Sequence, residues 1–165
     1  MGSGKTHIGK RLAKKLGFSF LDLDDLIEDR EGSSISQLFA TFGETAFRQM
    51  EQAALHSLTS YDKIVIACGG GTPCFYDNMA WMNDHGLTIY LAASPSLLYQ
   101  RLVRETSHRP LLQGKKKEEL LRFLQTKLTE RSSFYQQASV LVDQDTIEIP
   151  VDEALCLHIQ DIVGH

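Results

Sequence analysis

Residues 63–71 read KIVIACGGG, and this stretch decides the fold class. Between its ends, Lys63 and Cys68, the chain is continuously apolar and rich in β-branched residues. That is the composition of a strand covered on both faces of a parallel sheet, not of a half-exposed antiparallel one. Three glycines then end it. Residues 87–91 repeat the apolar run, with Pro95 at a helix start beyond them, and residues 140–142 form a weaker run. In the other direction, residues 18–23 supply a short strand. Asp24 or Asp25 then caps a helix that carries Leu26 and Ile27 and stops near Gly32. Apolar spacing predicts further helices. One covers 5–16, with Ile8, Leu12 and Leu16 on one face and Gly17 as the stop; another covers 35–42 and is closed by Gly43. A third covers 44–58 with Phe47, Met50, Ala54 and Leu58 inward, and a last one 151–163. Strands separated by helices define a doubly wound α/β sheet. No repeat, low-complexity tract or linker interrupts the pattern.

The 165 residues are 42% hydrophobic and 23% charged, a balance that suits one domain and excludes a disordered chain. Domains of about 100–150 residues fold without covalent staples, so Cys68, Cys74 and Cys156, odd in number and scattered, read as free thiols of a reducing compartment. The first ten residues, MGSGKTHIGK, lack the apolar core of a secretory signal. No apolar run approaches the roughly 20 residues that span a bilayer. A soluble, cytoplasmic protein without a membrane partner is expected. Between residues 101 and 131 nine basic residues accompany four acidic ones, inside a chain whose net charge is −4. Such an island suggests a local anion site or a solvated helix face. Nucleic acid is not the expected partner, because the domain as a whole is acidic and no nucleic-acid-binding pattern occurs.

Gly2-Ser3-Gly4-Lys5-Thr6 opens the first helix and reads as the latter part of a phosphate-binding loop. Glycines let backbone N–H groups turn inward around phosphate oxygens, and the helix N-terminus adds partial positive charge. Lys5 reaches the β and γ phosphates, and Thr6 offers a hydroxyl to Mg²⁺. Asp22 and Asp24, two apart at a strand end, can hold a hydrated Mg²⁺ and orient an alcohol at the sheet edge where ligands bind. Helix capping, with Asp25 and Glu28 as a capping arrangement, is the alternative. Arg48 and Glu51, three apart, meet on one helix face, by default as a surface ion pair. Gly69, Gly70 and Gly71 exceed the need of a turn, and close backbone approach to a ligand explains them better. The six histidines and three cysteines lack metal-ligand spacing. Phe18, Phe20, Phe39, Phe42 and Phe47 read as core.

In order along the chain stand GSGKT with Gly9 and Lys10, FSFLDLDDLIE, GSSISQLFATFGETAFRQME, the strand ending in CGGG, TIYL, HRPLL, and ERSSFY followed by Ala138. This series resembles the shikimate kinases over nearly the whole chain. The resemblance implies an α/β fold of three layers, the P-loop kinase fold of the nucleoside-monophosphate kinase type, with a central parallel sheet of order 2-3-1-4-5. It implies a single domain over 1–165, with a substrate-binding region at about 24–60 and a lid at about 105–117. The implied reaction moves the γ-phosphoryl group of ATP to the 3-hydroxyl of shikimate, with MgATP and shikimate as partners and a monomer as the expected state. Gly2, Ser3, Gly4, Lys5, Thr6 and His7 would surround the phosphates, with Thr6 on Mg²⁺ and Asp22 touching its water shell. Asp24 would bind the shikimate hydroxyls as candidate base. Arg48, oriented by Glu51, and Arg131 would grip the carboxylate, with Gly70 adding a backbone contact. Arg109 would close over the phosphates, and Arg101 or Arg104 would lie against adenine.

Two features depart from the family pattern. His7 stands where a small hydroxyl residue is usual. The central first strand of the resembled sheet, with the first loop glycine, has no counterpart in this chain, so an apolar strand upstream of Met1 is expected, since unpaired buried backbone groups are costly. A gluconate kinase-like enzyme and a non-catalytic nucleotide-binding protein are the alternatives. With Pro110, Gly114 and three consecutive lysines, the lid segment is expected to be mobile without nucleotide.

Overall fold

The computed structural model describes residues 2–105 and 117–163. Helix α1 spans Lys5–Leu16 and ends at Gly17, as its apolar spacing predicts. Strand β1 (Ser19–Asp22) is shorter than the predicted 18–23. The reason is local: Asp22 is the N-cap of α2 (Leu23–Glu31), its carboxylate accepting from the Asp24 amide, so Leu23 is already helical. The cap is therefore neither Asp24 nor Asp25. Glu28 does not complete a capping pair with Asp25 either; its Oε1 accepts from the Ile35 amide at 2.7 Å and pins the start of the next helix.

That helix, α3 (Ile35–His56), starts at a Ser34–Gln37 capping box and is broken at Gly43, whose φ of 77° and ψ of 175° lie outside helical space. The break falls between the two predicted helices, 35–42 and 44–58. A tighter turn, Ser57–Ser60, replaces the last residues predicted for the second. Strand β2 (Ile64–Ala67) follows, then a single turn at Thr72–Cys74 and α4 (Asn78–His85). The remaining elements are β3 (Ile89–Ala92), α5 (Pro95–Glu105), α6 (Lys117–Tyr135), β4 (Val140–Asp143) and α7 (Val151–Val163).

Strand β1 pairs in parallel with β2, placing Asp22 opposite Ala67, and β3 pairs in parallel with β4, placing Ala92 opposite Asp143. The two pairs are separate. Between them lies a cavity of ≈ 590 Å³, lined among others by Ile8, Leu12, Ile66, Tyr90 and Leu155. This cavity corrects one sequence expectation: in β2 only Ala67 is buried, and Ile64, Val65 and Ile66 are half-buried because one flank is uncovered. The core gathers instead where α2 meets α3, around Leu23, Ile27, Leu38, Phe47 and Leu55, and where α5 meets α6, around Leu98, Leu102, Leu120 and Leu124.

Helix α7 is tied to α1 by charge. Asp152, buried in the first turn of α7, meets Arg11 Nε at 3.2 Å and Lys15 Nζ at 3.1 Å. Desolvation pushes its carboxyl up, but the Lys15 hydrogen bond and both cations outweigh this and hold it below the usual range. A carboxyl lowered in the folded state stabilises the fold above its ordinary value, and loses that contribution as pH falls through the folded value. Asp152→Asn is therefore expected to lower stability by about 1 kcal/mol at pH 7, with the deficit vanishing in urea unfolding at the acid end. A deficit equal at pH 7 and pH 3 would assign the effect to packing instead.

Candidate active site

The register of β1 and β2 brings Asp22 and the start of the glycine run to the same, carboxyl-terminal edge of the sheet. Gly4, in the left-handed region at φ 78°, turns the chain into α1, and its carbonyl accepts from the Ile8 amide. Just inside the helix, Thr6 donates through Oγ1 to Asp22 Oδ2 at 2.7 Å. Lys5 is half-buried and lines the cavity edge, whereas His7 is exposed. Arg101 reaches this loop from α5, donating to the Ser3 carbonyl at 3.1 Å and to Gln144 Oε1 at 2.9 Å. It thus binds the loop's own backbone. Asp24 lies inside the first turn of α2, past the strand end at which the sequence places it. Burial pushes its carboxyl up; Lys5 pulls it back, and the carboxylates of Asp22, Glu51 and Glu28 push it further up.

Arg48 and Glu51 are not a surface pair. Arg48 is 8% exposed and Glu51 1%, with Arg48 Nη1 donating to Glu51 Oε2 at 2.8 Å. A second contact, from Nη2 to the exposed Glu44, is 3.2 Å long. The guanidinium lies 4.3 Å from the Phe75 ring centre and 5.3 and 5.6 Å from those of Phe47 and Phe39. Two of the phenylalanines read as core thus also wall in a cation. The glycine run explains how it fits: a Cβ on Gly71 would stand 2.6 Å from Arg48 Nη2, and one on Gly70 would stand 3.1 Å from both Arg131 Nη1 and Tyr135 Oη. The close approach that the glycines permit is to the protein's own two arginines.

Arg131, on α6, is joined there by Tyr135, four residues later on the same face, whose hydroxyl donates to the Gly70 carbonyl at 2.6 Å. Gly69 sits where a Cβ would be 3.3 Å from Glu51 Oε1 and from Thr72 Oγ1, and 3.5 Å from Asp24 Oδ1. Lys5, Asp24, Glu51, Arg48, Gly70 and Arg131 therefore belong to one site. Arg109 and most of the segment 105–117 lie outside the described residues. Thr72, Phe75 and Tyr135 are the contributors that pattern reading passes over; only Tyr135 carries a signal, its spacing from Arg131. Burial, followed by the charge of Glu51, pushes the Cys68 thiol to about 12, so it is no nucleophile at neutral pH. The three cysteines are free. Among the described residues no group of three His, Cys, Asp or Glu is arranged for a metal, and no helix is long and apolar enough to cross a membrane.

Parallel strands whose carboxyl ends meet a glycine-rich loop, with that loop opening a helix, define a P-loop nucleotide-binding protein. The particular family follows from the comparisons. The sequence model described as Shikimate kinase matches residues 1–162. The shikimate kinase of Bacteroides fragilis is 44% identical over 148 residues, covering 90% of this chain and 83% of that protein. The crystal structure of the Bacteroides thetaiotaomicron shikimate kinase superposes with a TM-score of 0.88 at 40% identity, covering 100% of this chain and 94% of that one. The Acinetobacter baumannii shikimate kinase in complex with shikimate gives 0.78 at 35% identity, covering 99% and 89%. The chain belongs to the shikimate kinase family. Its activity is the ATP-dependent phosphorylation of shikimate, a step of aromatic amino-acid biosynthesis.

Proposed function

We propose that the two walls of this site divide the reaction. On one wall Gly2, Ser3, Gly4, Lys5, Thr6 and His7 hold the ATP phosphates, with Arg109 arriving from the lid at about 105–117. On the other, Arg48 and Arg131 take the shikimate carboxylate, with Gly70 offering backbone contact. Asp24 holds the 3-hydroxyl and accepts its proton as the oxygen bonds to the γ-phosphorus and the bond from that phosphorus to the β,γ-bridging oxygen breaks, releasing ADP. The observation that carries the reading is the pair of guanidiniums laid on Gly71 and Gly70, within one site with Asp24 and Lys5. Planar forks suit a carboxylate better than ammonium groups do.

Thr6 Oγ1 and Asp22 Oδ2 are oxygen donors of the kind a small, largely hydrated divalent cation takes, and they fit Mg²⁺, Thr6 directly and Asp22 through water. Such an ion would neutralise charge on the phosphates. The remaining work falls to this chain's own groups: Lys5 stabilises charge that spreads over the transferring group, and Asp24 orients the acceptor. Shikimate-dependent ADP release tests the reading. Release without acceptor, or equal release with gluconate, would overturn it.

The same reading takes the protein as one cytoplasmic, monomeric domain whose sheet has the order 2-3-1-4-5, where 1 is an extended strand and 2, 3, 4 and 5 are β1, β2, β3 and β4, so that strand 1 sits between β2 and β3. What supports it is the cavity that both strands line and their separate pairing; five or six residues span such a slot. The expected result is that the β2 and β3 amides exchange slowly in the natively expressed protein. Fast exchange along both strands sinks the idea.

A further inference from the structure

We propose that Thr72 is a positioning residue for the acceptor site. Its hydroxyl fixes the Glu51 carboxylate, and through it the Arg48 guanidinium, in the pose that receives the substrate carboxylate. This rests on the reading of Arg48 as a carboxylate-binding residue.

Glu51 is fully buried and has one oxygen on each of two donors. Oε2 accepts from Arg48 at 2.8 Å, and Oε1 accepts from Thr72 Oγ1 at 2.5 Å. Arg48 and Glu51 share α3, and a pair three residues apart on one helix retains rotamer freedom unless something else holds it. The exposed Glu44, at 3.2 Å, is a weak restraint. Thr72 is a strong one because it is itself anchored at both ends. Its amide donates to the Gly69 carbonyl at 3.1 Å, its carbonyl accepts from Asn78 Nδ2 at 2.9 Å, and Pro73 stiffens the turn that follows. Both Thr72 and Asn78 have no solvent exposure.

The placement also gives the hydroxyl a direction to oppose. Glu51 Oε1 and Asp24 Oδ1 both approach Gly69, within 3.3 and 3.5 Å of the position a Cβ would take. Two carboxylates that flank one glycine repel, and the Thr72 hydroxyl is the donor that holds Glu51 against that repulsion. Without it the carboxylate swings away from Asp24 and carries the Arg48 fork off Gly71. Because Thr72 directly follows Gly71, one turn both supports the guanidinium face and aims its counter-ion.

The test is a pair of variants assayed for KM and kcat with each substrate, with thermal unfolding as a check on folding. Thr72→Val removes the hydroxyl at nearly constant volume. It is expected to raise the shikimate KM about tenfold, the order expected for losing one hydrogen bond to a charged group, and to leave the ATP KM within about twofold. Thr72→Ser, which keeps the hydroxyl, is expected to restore the shikimate KM. An unchanged shikimate KM in Thr72→Val overturns the proposal. So does an equal rise in both variants, which would make Thr72 a packing residue. If Thr72→Val does not fold, Thr72→Ala supplies the hydroxyl-free arm with the same expectations. Arg48→Ala run alongside separates the two ideas. If it spares shikimate, the reading of Arg48 fails and the proposal with it. If it weakens shikimate while Thr72→Val does not, only the role of Thr72 falls.

Discussion

Lys5→Ala is expected to cut phosphoryl transfer by at least ~10³-fold while leaving shikimate binding nearly intact. Phosphoryl transfer needs little covalent help from the protein; its barrier is lowered mainly by cations fixed where charge spreads in the transition state. Lys5 opens α1 beside the half-motif Gly2 to Thr6 and lies near enough to Asp24 to pull its carboxyl down. Removing it therefore does two things at once. The transferring group loses a preorganised positive charge, worth about 10²–10³ in kcat for a single donor. Asp24, already pushed up by burial, loses the charge of Lys5 that pulls its carboxyl down, so the carboxyl moves further up. Together these predict a fall in kcat of at least ~10³-fold. The acid limb of what activity remains should move to higher pH. Calorimetric titration with shikimate alone should give an affinity within about twofold of wild type, since the proposed carboxylate partners sit on α3 and α6. A variant with kcat within tenfold of wild type would remove Lys5 from the chemistry.

What local pattern encodes, the sequence shows well. Gly17, Gly32 and Gly43 end or break helices where the apolar spacing stops, and KIVIAC forms a parallel strand. Contacts between distant residues behave differently. Glu51 and Thr72 are 21 residues apart, and no periodicity connects them; only the fold does. The glycine run illustrates the same limit. Three glycines at a strand end signal close approach, but the approaching groups, Arg48 and Arg131, come from two helices on either side in the chain, so spacing alone cannot name them. The burial of the Arg48–Glu51 pair was equally out of reach. An i, i+3 pair looks the same on a solvated face and on a face that packs against a glycine turn and three phenylalanines. The aspartates show a competition: Asp22 is needed at once as a helix cap and as a partner for Thr6, and its two carboxylate oxygens serve one role each.

Arg48→Ala should damage shikimate handling most of all single changes on the acceptor wall. The guanidinium is buried, its plane is fixed by Gly71 beneath and Phe75 beside it, and its charge is shared between Glu51 and a weak contact to Glu44. Glu44 is exposed and worth little, so that edge of the fork is free to exchange it for a substrate carboxylate. Truncating a desolvated charged partner typically costs about 2–5 kcal/mol of binding, which predicts a shikimate KM raised by roughly 10²–10³-fold with the ATP KM nearly unchanged. The same substitution leaves Glu51 buried without its cation, a fault expected to cost about 3–5 kcal/mol of stability. Unfolding and binding must therefore be separated. Adding Glu51→Gln removes the orphaned charge and should recover much of the melting temperature, but it cannot recover affinity for the substrate carboxylate. Arg48→Lys divides the effect further: it keeps the charge and gives up the planar fork, so its shikimate KM should fall between those of wild type and Arg48→Ala. If the double variant regained shikimate affinity along with its stability, the defect would belong to the fold of α3 and not to the site. If Arg48→Ala weakened ATP and spared shikimate, the two walls would be assigned the wrong way round.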